Sequence, residues 1–354
     1  MSMTTESPEF SERYDVKDKD NLESFYVTDA DRPFDVFMTV HSIGNPRVEV
    51  RADEISAKRL EELQRMNKAA LVDRERIESG EVAYLKQAGI AARFLLGGNM
   101  STVIRDGEAA FGPKDLSSDE RLADARKNMN EHFATLGVDP ATVRILNPER
   151  DYSTPLTAVN VDEDTGVYNG LDPVRLEKSG DFIYSYNPDI VLAVRPADCP
   201  IAIMSAETPN GKVNMMLHFA WKGPAAGQYD DMKRELDTLG VDYETLKVYI
   251  TPGGHSETFR YKDYVSNGGT NPDVEESRLF VGVTEDEETG KQSFGIDTPN
   301  DVYEAFVDMG INKKQLFLDT SDTTALDSGY ASNSRAFNQK EDDARDLVTA
   351  VFHA

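Results

Sequence analysis

Two short runs of the chain carry the residue types best suited to chemistry. Arg195-Pro196-Ala197-Asp198-Cys199-Pro200 holds the only cysteine, and His218-Phe219-Ala220-Trp221-Lys222-Gly223 follows about twenty residues later. A thiolate and an imidazole are donors that zinc prefers. A zinc with three protein ligands keeps a fourth position open and brings the pKa of water to ~7, which is the catalytic arrangement. The plainer reading is that a lone cysteine is a small core hydrophobe. Near the pair, Lys222 and Arg195 are cations that could hold an anion. Asp198 could relay a proton or cap a turn, and Trp221 could stack on a flat ligand or pack in a core.

Such residues need rigid elements to position them. Ile190-Val191-Leu192-Ala193-Val194 reads as a buried strand that ends just before the cysteine segment. Residues 213–217 predict a second strand, with His218 directly after it. Residues 224–239 predict a helix, with Pro224 in its first turn and Gly240 past its end. Further strands are expected at Val248-Tyr249-Ile250 and Leu316-Phe317-Leu318, a helix at 302–309, and a terminal helix or strand at 344–352. Upstream, Ala92-Arg93-Phe94-Leu95-Leu96 predicts a strand entering Gly97-Gly98. Ser117 and Glu120 have capping-box spacing before a helix with Leu122, Ala125, Met129, Phe133 and Leu136 on one face, stopped by Gly137. His132 is expected on the surface of that helix. Arg47-Val48-Glu49-Val50 is a strand candidate, and Leu60, Leu63, Met66 and Leu71 mark an amphipathic helix beginning near Ser56. The expected organisation is an acidic arm at 1–34, an N-terminal extension at 35–91, and one compact mixed α/β core at 92–354.

The chain has 354 residues, of which 39% are hydrophobic, enough for a sizeable core. A net charge of −26 is spread along it and repels phosphate backbones and anionic lipids. A small-molecule substrate is therefore expected, with neither a nucleic acid nor a membrane as partner; the oligomeric state is left open. One cysteine cannot form an internal disulfide. The N-terminus lacks the basic start and apolar run of a signal peptide. No apolar stretch approaches the ~20 residues that span a bilayer, so a cytoplasmic location is expected.

Ala197-Asp198-Cys199 at a strand end, then His218-Phe219-Ala220-Trp221-Lys222-Gly223, resembles the laccase-domain family. That family is also called multicopper polyphenol oxidase-like, purine nucleoside phosphorylase-like or peptidoglycan editing factor. Other segments align in order: Gly97-Gly98-Asn99-Met100-Ser101, the helix through Asn128, Ser179-Gly180-Asp181-Phe182, Thr251-Pro252-Gly253-Gly254, Ser334-Arg335 and Ala344-Arg345. The resemblance covers about residues 92–354. It implies a zinc site of two histidines and one cysteine, and activity on purine nucleosides with phosphate, by phosphorolysis or by deamination of adenosine. Polyphenol oxidation and peptidoglycan editing are also attached to the family.

By position, Cys199 and His218 match two of the metal ligands. Trp221 and Gly223 match outright, and Lys222 stands for an arginine. Glu149 stands where the family has its first histidine, either as a replacement carboxylate ligand or as the mark of a broken site; His255 is a second candidate for the missing ligand. Pro200 follows the cysteine directly, Thr320-Ser321 stands near a missing Cys-Thr, and Ala344 replaces a glycine. The resemblance thus implies Cys199, His218 and Glu149 around zinc, Asp198 and Lys222 in catalysis, and Arg195, Trp221 and Arg345 on substrate. Copper is not expected, because a coupled multicopper centre needs many imidazoles and the chain has only His41, His132, His218, His255 and His353. The alternatives are a binding protein that kept the fold and lost the metal, and a hydrolase of a cell-wall precursor.

Overall fold

An apolar run without a polar face must be covered on both sides, and residues 190–194 are: two six-stranded sheets pack face to face, with helices on their outer surfaces. The computed structural model describes residues 34–41, 82–87, 90–97, 100, 104–105, 108–109, 112, 115–136, 138–146, 153–162, 181–254, 260–262, 280–285, 292–318, 323–324, 345 and 347–352. In chain order come β1 (Phe34–His41), β2 (Val82–Gln87), β3 (Ile90–Gly97), β4 (Ile104–Arg105), β5 (Glu108–Ala109) and helix α1 (Ser118–Leu136). They are followed by β6 (Val143–Leu146), β7 (Ala158–Asn160), β8 (Phe182–Ser185), β9 (Val191–Val194), β10 (Ile201–Thr208) and β11 (Gly211–His218). Helix α2 (Gln228–Leu239) leads to β12 (Lys247–Ile250), β13 (Arg260–Lys262), β14 (Phe280–Glu285) and β15 (Gln292–Ile296). Helix α3 (Thr298–Asp308), β16 (Leu316–Leu318) and β17 (Val348–Phe352) close the series.

The first sheet has the order β2-β3-β1-β17-β9-β6, and the second β16-β12-β10-β11-β8-β7; β13-β15-β14 and β4-β5 form two small sheets. Side chains alternate along each strand, and this alternation builds three apolar layers. Leu192 and Val194 of β9, Ile201 and Ile203 of β10 and Met216 of β11 fill the space between the sheets. Val191 and Ala193 point the other way, onto Met129 and Phe133 of α1. Ala202, Met204, Val213, Met215 and Leu217 face α2 and α3 through Met232, Leu236, Val302 and Phe306.

β1 hydrogen-bonds to β3 and β17 in the middle of the first sheet. Phe34, Val36 and Met38 belong to the inter-sheet core, and the Phe34 ring meets Phe352 edge-on at 5.5 Å. The first strand of the expected extension is thus built into the core's own sheet. The strand candidate at 47–50 and the amphipathic helix near Ser56 lie outside the described residues. Among the described residues no helix is long and apolar enough to cross a membrane.

Most expected elements occur where the patterns put them. The capping box forms: the Glu120 amide donates to Ser117 Oγ at 3.3 Å and the Ser117 amide to the Glu120 carboxylate at 2.9 Å. One reading changes, and one that was open is decided. The helix at 224–239 is interrupted, because Gly227 takes φ +75° between a 3-10 turn (Pro224–Ala226) and α2. The terminal segment is a strand, which its pairing with β1 and β9 explains.

His132 is not on the surface. It is buried, its Nε2 lies 3.0 Å from Thr349 Oγ1 of β17, and its ring meets Phe133 edge-on. The apolar face of α1 is wider than its hydrophobic residues alone indicate, because the imidazole joins it. Burial pushes the His132 pKa down to about 3. The unfolded chain therefore takes up this proton near pH 6.5 and the folded chain only near 3, so stability is lost as pH falls through that window. We expect urea unfolding to show the parent losing roughly 1 kcal/mol more per pH unit below about pH 6.5 than His132→Phe does. Parallel pH profiles would show that the imidazole is not held neutral.

Candidate metal centre

Several chain segments meet at one end of the sandwich. Residues 195–200 leave β9 in the first sheet and enter β10 in the second. β10 starts where β11 and β12 end, with Ile201 opposite His218 and Ala202 opposite Ile250. β8 starts there as well, with Phe182 opposite Leu217. Along β11 Met216 faces the inter-sheet core, so by alternation His218 faces it too; along β8 Ile183 does, and so does Asp181 two residues earlier.

His218 and Asp181 are buried. The His218 amide donates to the Asp181 carbonyl at 2.8 Å, and the ring Nδ1 lies 3.2 Å from Asp181 Oδ1. A carboxylate only accepts, so Nδ1 carries a proton, and Nε2 is the nitrogen at which a metal would take the place of the ring's second proton. The half-buried Cys199 thiol is a further hydrogen-bonding partner of the imidazole. Burial works to lower the imidazole pKa, but the hydrogen bonds and charges of Asp181 and Cys199 outweigh it and push His218 up to about 10. The surroundings therefore favour a positive charge between carboxylate and sulfur.

The cysteine loop is fixed by its neighbour Asp198. Among the described residues Asp198 alone of the non-glycines has positive φ, at +67°. Aspartate tolerates this left-handed conformation better than most residues. Its carbonyl accepts from the Gly254 amide at 2.7 Å, and its carboxylate accepts from the Thr323 hydroxyl at 2.9 Å. A Cβ at Gly253 would come within 3.0 Å of the Asp198 carbonyl and 2.7 Å of Pro299, so this approach needs a glycine. Of the two roles open to Asp198 from the sequence, the turn is the one its geometry displays.

The remaining expected residues are spread around this end. Arg195 is buried directly after β9. Arg345 is half-buried and accepts from the Met100 amide through its carbonyl at 3.0 Å; β17 pairs Val348 with Val194, so Arg345 approaches the end that Arg195 leaves. Trp221 is half-buried and not in the core, and the exposed Lys222 holds its amine 5.2 Å from the indole centroid. Glu149 and His255 lie outside the described residues, although β6, which precedes Glu149, ends with Leu146 opposite Val194. Among the described residues no group of three His, Cys, Asp or Glu side chains is arranged to hold a metal ion. Cys199 and His218 do come together, and sulfur and nitrogen donors with a carboxylate behind the imidazole suit zinc.

The roles of Asp181, Thr323 and Gln228 escaped sequence reasoning. Asp181 was recognisable only as part of a resembling segment, since an aspartate one residue before a strand usually reads as a turn. Thr323 and Gln228 carried no signal, because their partners are distant in sequence. The Asp198 turn predicts a steep dependence on side-chain shape. Asp198→Asn should cost under about 1 kcal/mol, and Asp198→Val, β-branched and without a partner for Thr323, about 2–3 kcal/mol by urea unfolding. Equal costs would remove the strained turn from the account.

Residues 110–340, well over half of the chain, match the family model of the multi-copper polyphenol oxidoreductase laccase. The fold is similar to the crystal structure of the hypothetical protein YfiH from Bacillus licheniformis, with a TM-score of 0.53 at 15% identity over 72% of this chain and 85% of that one. It is also similar to YlmD from Geobacillus stearothermophilus, with a TM-score of 0.51 at 14% identity over the same shares. At such identities these structures speak for the fold alone. No curated protein matches the chain. The matched segment includes Asp181, Cys199 and His218, and the chain belongs to the multi-copper polyphenol oxidoreductase laccase family.

Proposed function

We propose that the protein is a zinc-dependent enzyme acting on purine nucleosides, by phosphorolysis of the glycosidic bond or by deamination of adenosine. The observation that carries this reading is the series of carboxylate, imidazole and thiol formed by the buried Asp181 and His218 and the half-buried Cys199. Cys199 and His218 would hold the metal, with Glu149 as an oxygen ligand, a donor that zinc accepts. Zinc, when bound, supplies Lewis acidity that brings the pKa of water to ~7. Asp181 keeps the His218 proton on Nδ1 and fixes the ring plane, and Asp198 holds the turn that presents the thiol.

Phosphorolysis places a phosphate oxygen on the anomeric carbon as the base leaves, and deamination places a water oxygen on C6 of adenine as ammonia leaves. A chain of net charge −26 needs local cations to attract phosphate, and Arg195, Lys222 and Arg345 are those supplied by the motifs. Trp221 offers a flat face for a purine. Oxidation by a coupled copper centre is not part of this reading, because five histidines in the whole chain are too few.

A second reading, a binding protein that kept the fold and lost the metal, draws on Lys222. Its ammonium lies over Trp221 and lacks the planar fork with which an arginine grips an anion. Elemental analysis separates the two readings. The first expects about one zinc per chain, lost together with nucleoside turnover in Cys199→Ala. A metal-free parent that turns over neither inosine with phosphate nor adenosine would overturn it, and nucleoside binding by that metal-free protein would establish the second.

A further inference from the structure

Beside the bond of the Phe219 amide to the Pro200 carbonyl at 3.0 Å, the loop that follows β11 is fastened by a residue that belongs to none of the motifs. Gln228, the first residue of α2, is 0% exposed. Its side-chain Nε2 donates to the His218 carbonyl at 2.8 Å, and its backbone amide donates to the Gly223 carbonyl at 3.0 Å. A single glutamine therefore holds both ends of residues 218–223, the segment that contains His218, Trp221 and Lys222.

Gly223 fits the same picture. Its φ of −60° and ψ of −47° suit any residue, so its backbone conformation does not call for glycine. A Cβ there would lie 1.6 Å from Gln228 Oε1, 2.7 Å from its Cδ and 3.1 Å from the Ala220 carbonyl, so an added methyl would displace the end of the glutamine side chain. Oε1 is buried and takes no hydrogen bond, so the amide is seated by packing against Gly223 and by its own donated bond.

We propose that Gln228 is a positioning residue that sets His218 toward Cys199, with Gly223 as the space into which its amide fits. The inference rests on the metal reading above. His218 is then held at three points: its amide and ring by Asp181, and its carbonyl by Gln228. Losing the third point lets the end of β11 shift and loosens the angle at which the imidazole meets a metal. Partners of this kind behind a metal ligand typically change affinity by about 10–100-fold when removed. The contact here is through the backbone, so the low end of that range applies.

The test is zinc affinity, measured by competition with a chromogenic chelator on the full chain. Gln228→Met keeps the shape and removes the donor, and should bind one zinc about tenfold more weakly than the parent. Gly223→Ala, which pushes the amide off from the other side, should weaken binding similarly and carries the test if Gln228→Met does not fold. In a Gln228→Ala background, Gly223→Ala should add little, because the amide it strikes is gone and only the Ala220 carbonyl, 3.1 Å away, is still approached. Ser205→Ala is the control for a merely structural effect: it unpairs the buried Asn214 far along the same strands, so it should lower Tm without moving zinc affinity. Zinc in the parent with unchanged affinity in Gln228→Met, or additive losses in the double variant, overturns this inference and leaves the metal reading standing. A parent without zinc removes both.

Discussion

The site depends on one short crossing between the two sheets. Packed sheets lie ~10 Å apart, and six residues span at most ~20 Å when extended, so residues 195–200 have slack for one reversal and little more. The reversal is taken at Asp198, in the left-handed region at φ +67°. Such a conformation costs ~1–3 kcal/mol for a residue with a side chain. It persists because the Gly254 amide and the Thr323 hydroxyl, from two other segments, both bond to that residue. A longer connection would leave the thiol to loop entropy; this one delivers Cys199 to the imidazole.

The second constraint is electrostatic. Asp181 and His218 lie on the sheet face that elsewhere carries Ile183, Met216, Ile201 and Ile203. Removing a carboxylate from water into such surroundings is costly unless it is paired. Here the pairing falls on an imidazole rather than on an arginine or lysine. Buried ion pairs contribute little net stability compared with well-packed apolar groups, so stability gives no reason for this pair. Its consequence is chemical: Asp181 holds one proton on Nδ1, so the ring's other nitrogen is the one left to meet the sulfur.

What the sequence revealed follows the range of the forces involved. Strands with buried faces on both sides, such as β9, are continuous apolar runs, and the capping box before α1 is a local exchange of hydrogen bonds; both are visible within a few residues. The pairing of Cys199 with His218 could be expected because each stands at a strand end and the motifs align. Asp181, Thr323 and Gln228 could not be assigned, since each acts through a partner that only the sheet register or the loop crossing brings near. The surface position expected for His132 failed for a related reason. A polar residue beside an apolar helix face reads as exposed unless the hydroxyl that meets it, Thr349, is known to lie on the strand below.

The chain's ends matter to the site although they lie outside the matched family segment. Residues 110–340 exclude β1, β2, β3 and β17, four strands of the first sheet. β9, which leads into the cysteine loop, has only β17 and β6 as neighbours. Without β17 it would be a four-residue edge strand, a poor anchor for a strained turn. β17 is in turn held by β1, whose Phe34, Val36 and Met38 fill the core between the sheets. The position of the thiol therefore rests on the pairing of β1 with β17 and of β17 with β9, which joins strands outside the matched segment to one inside it.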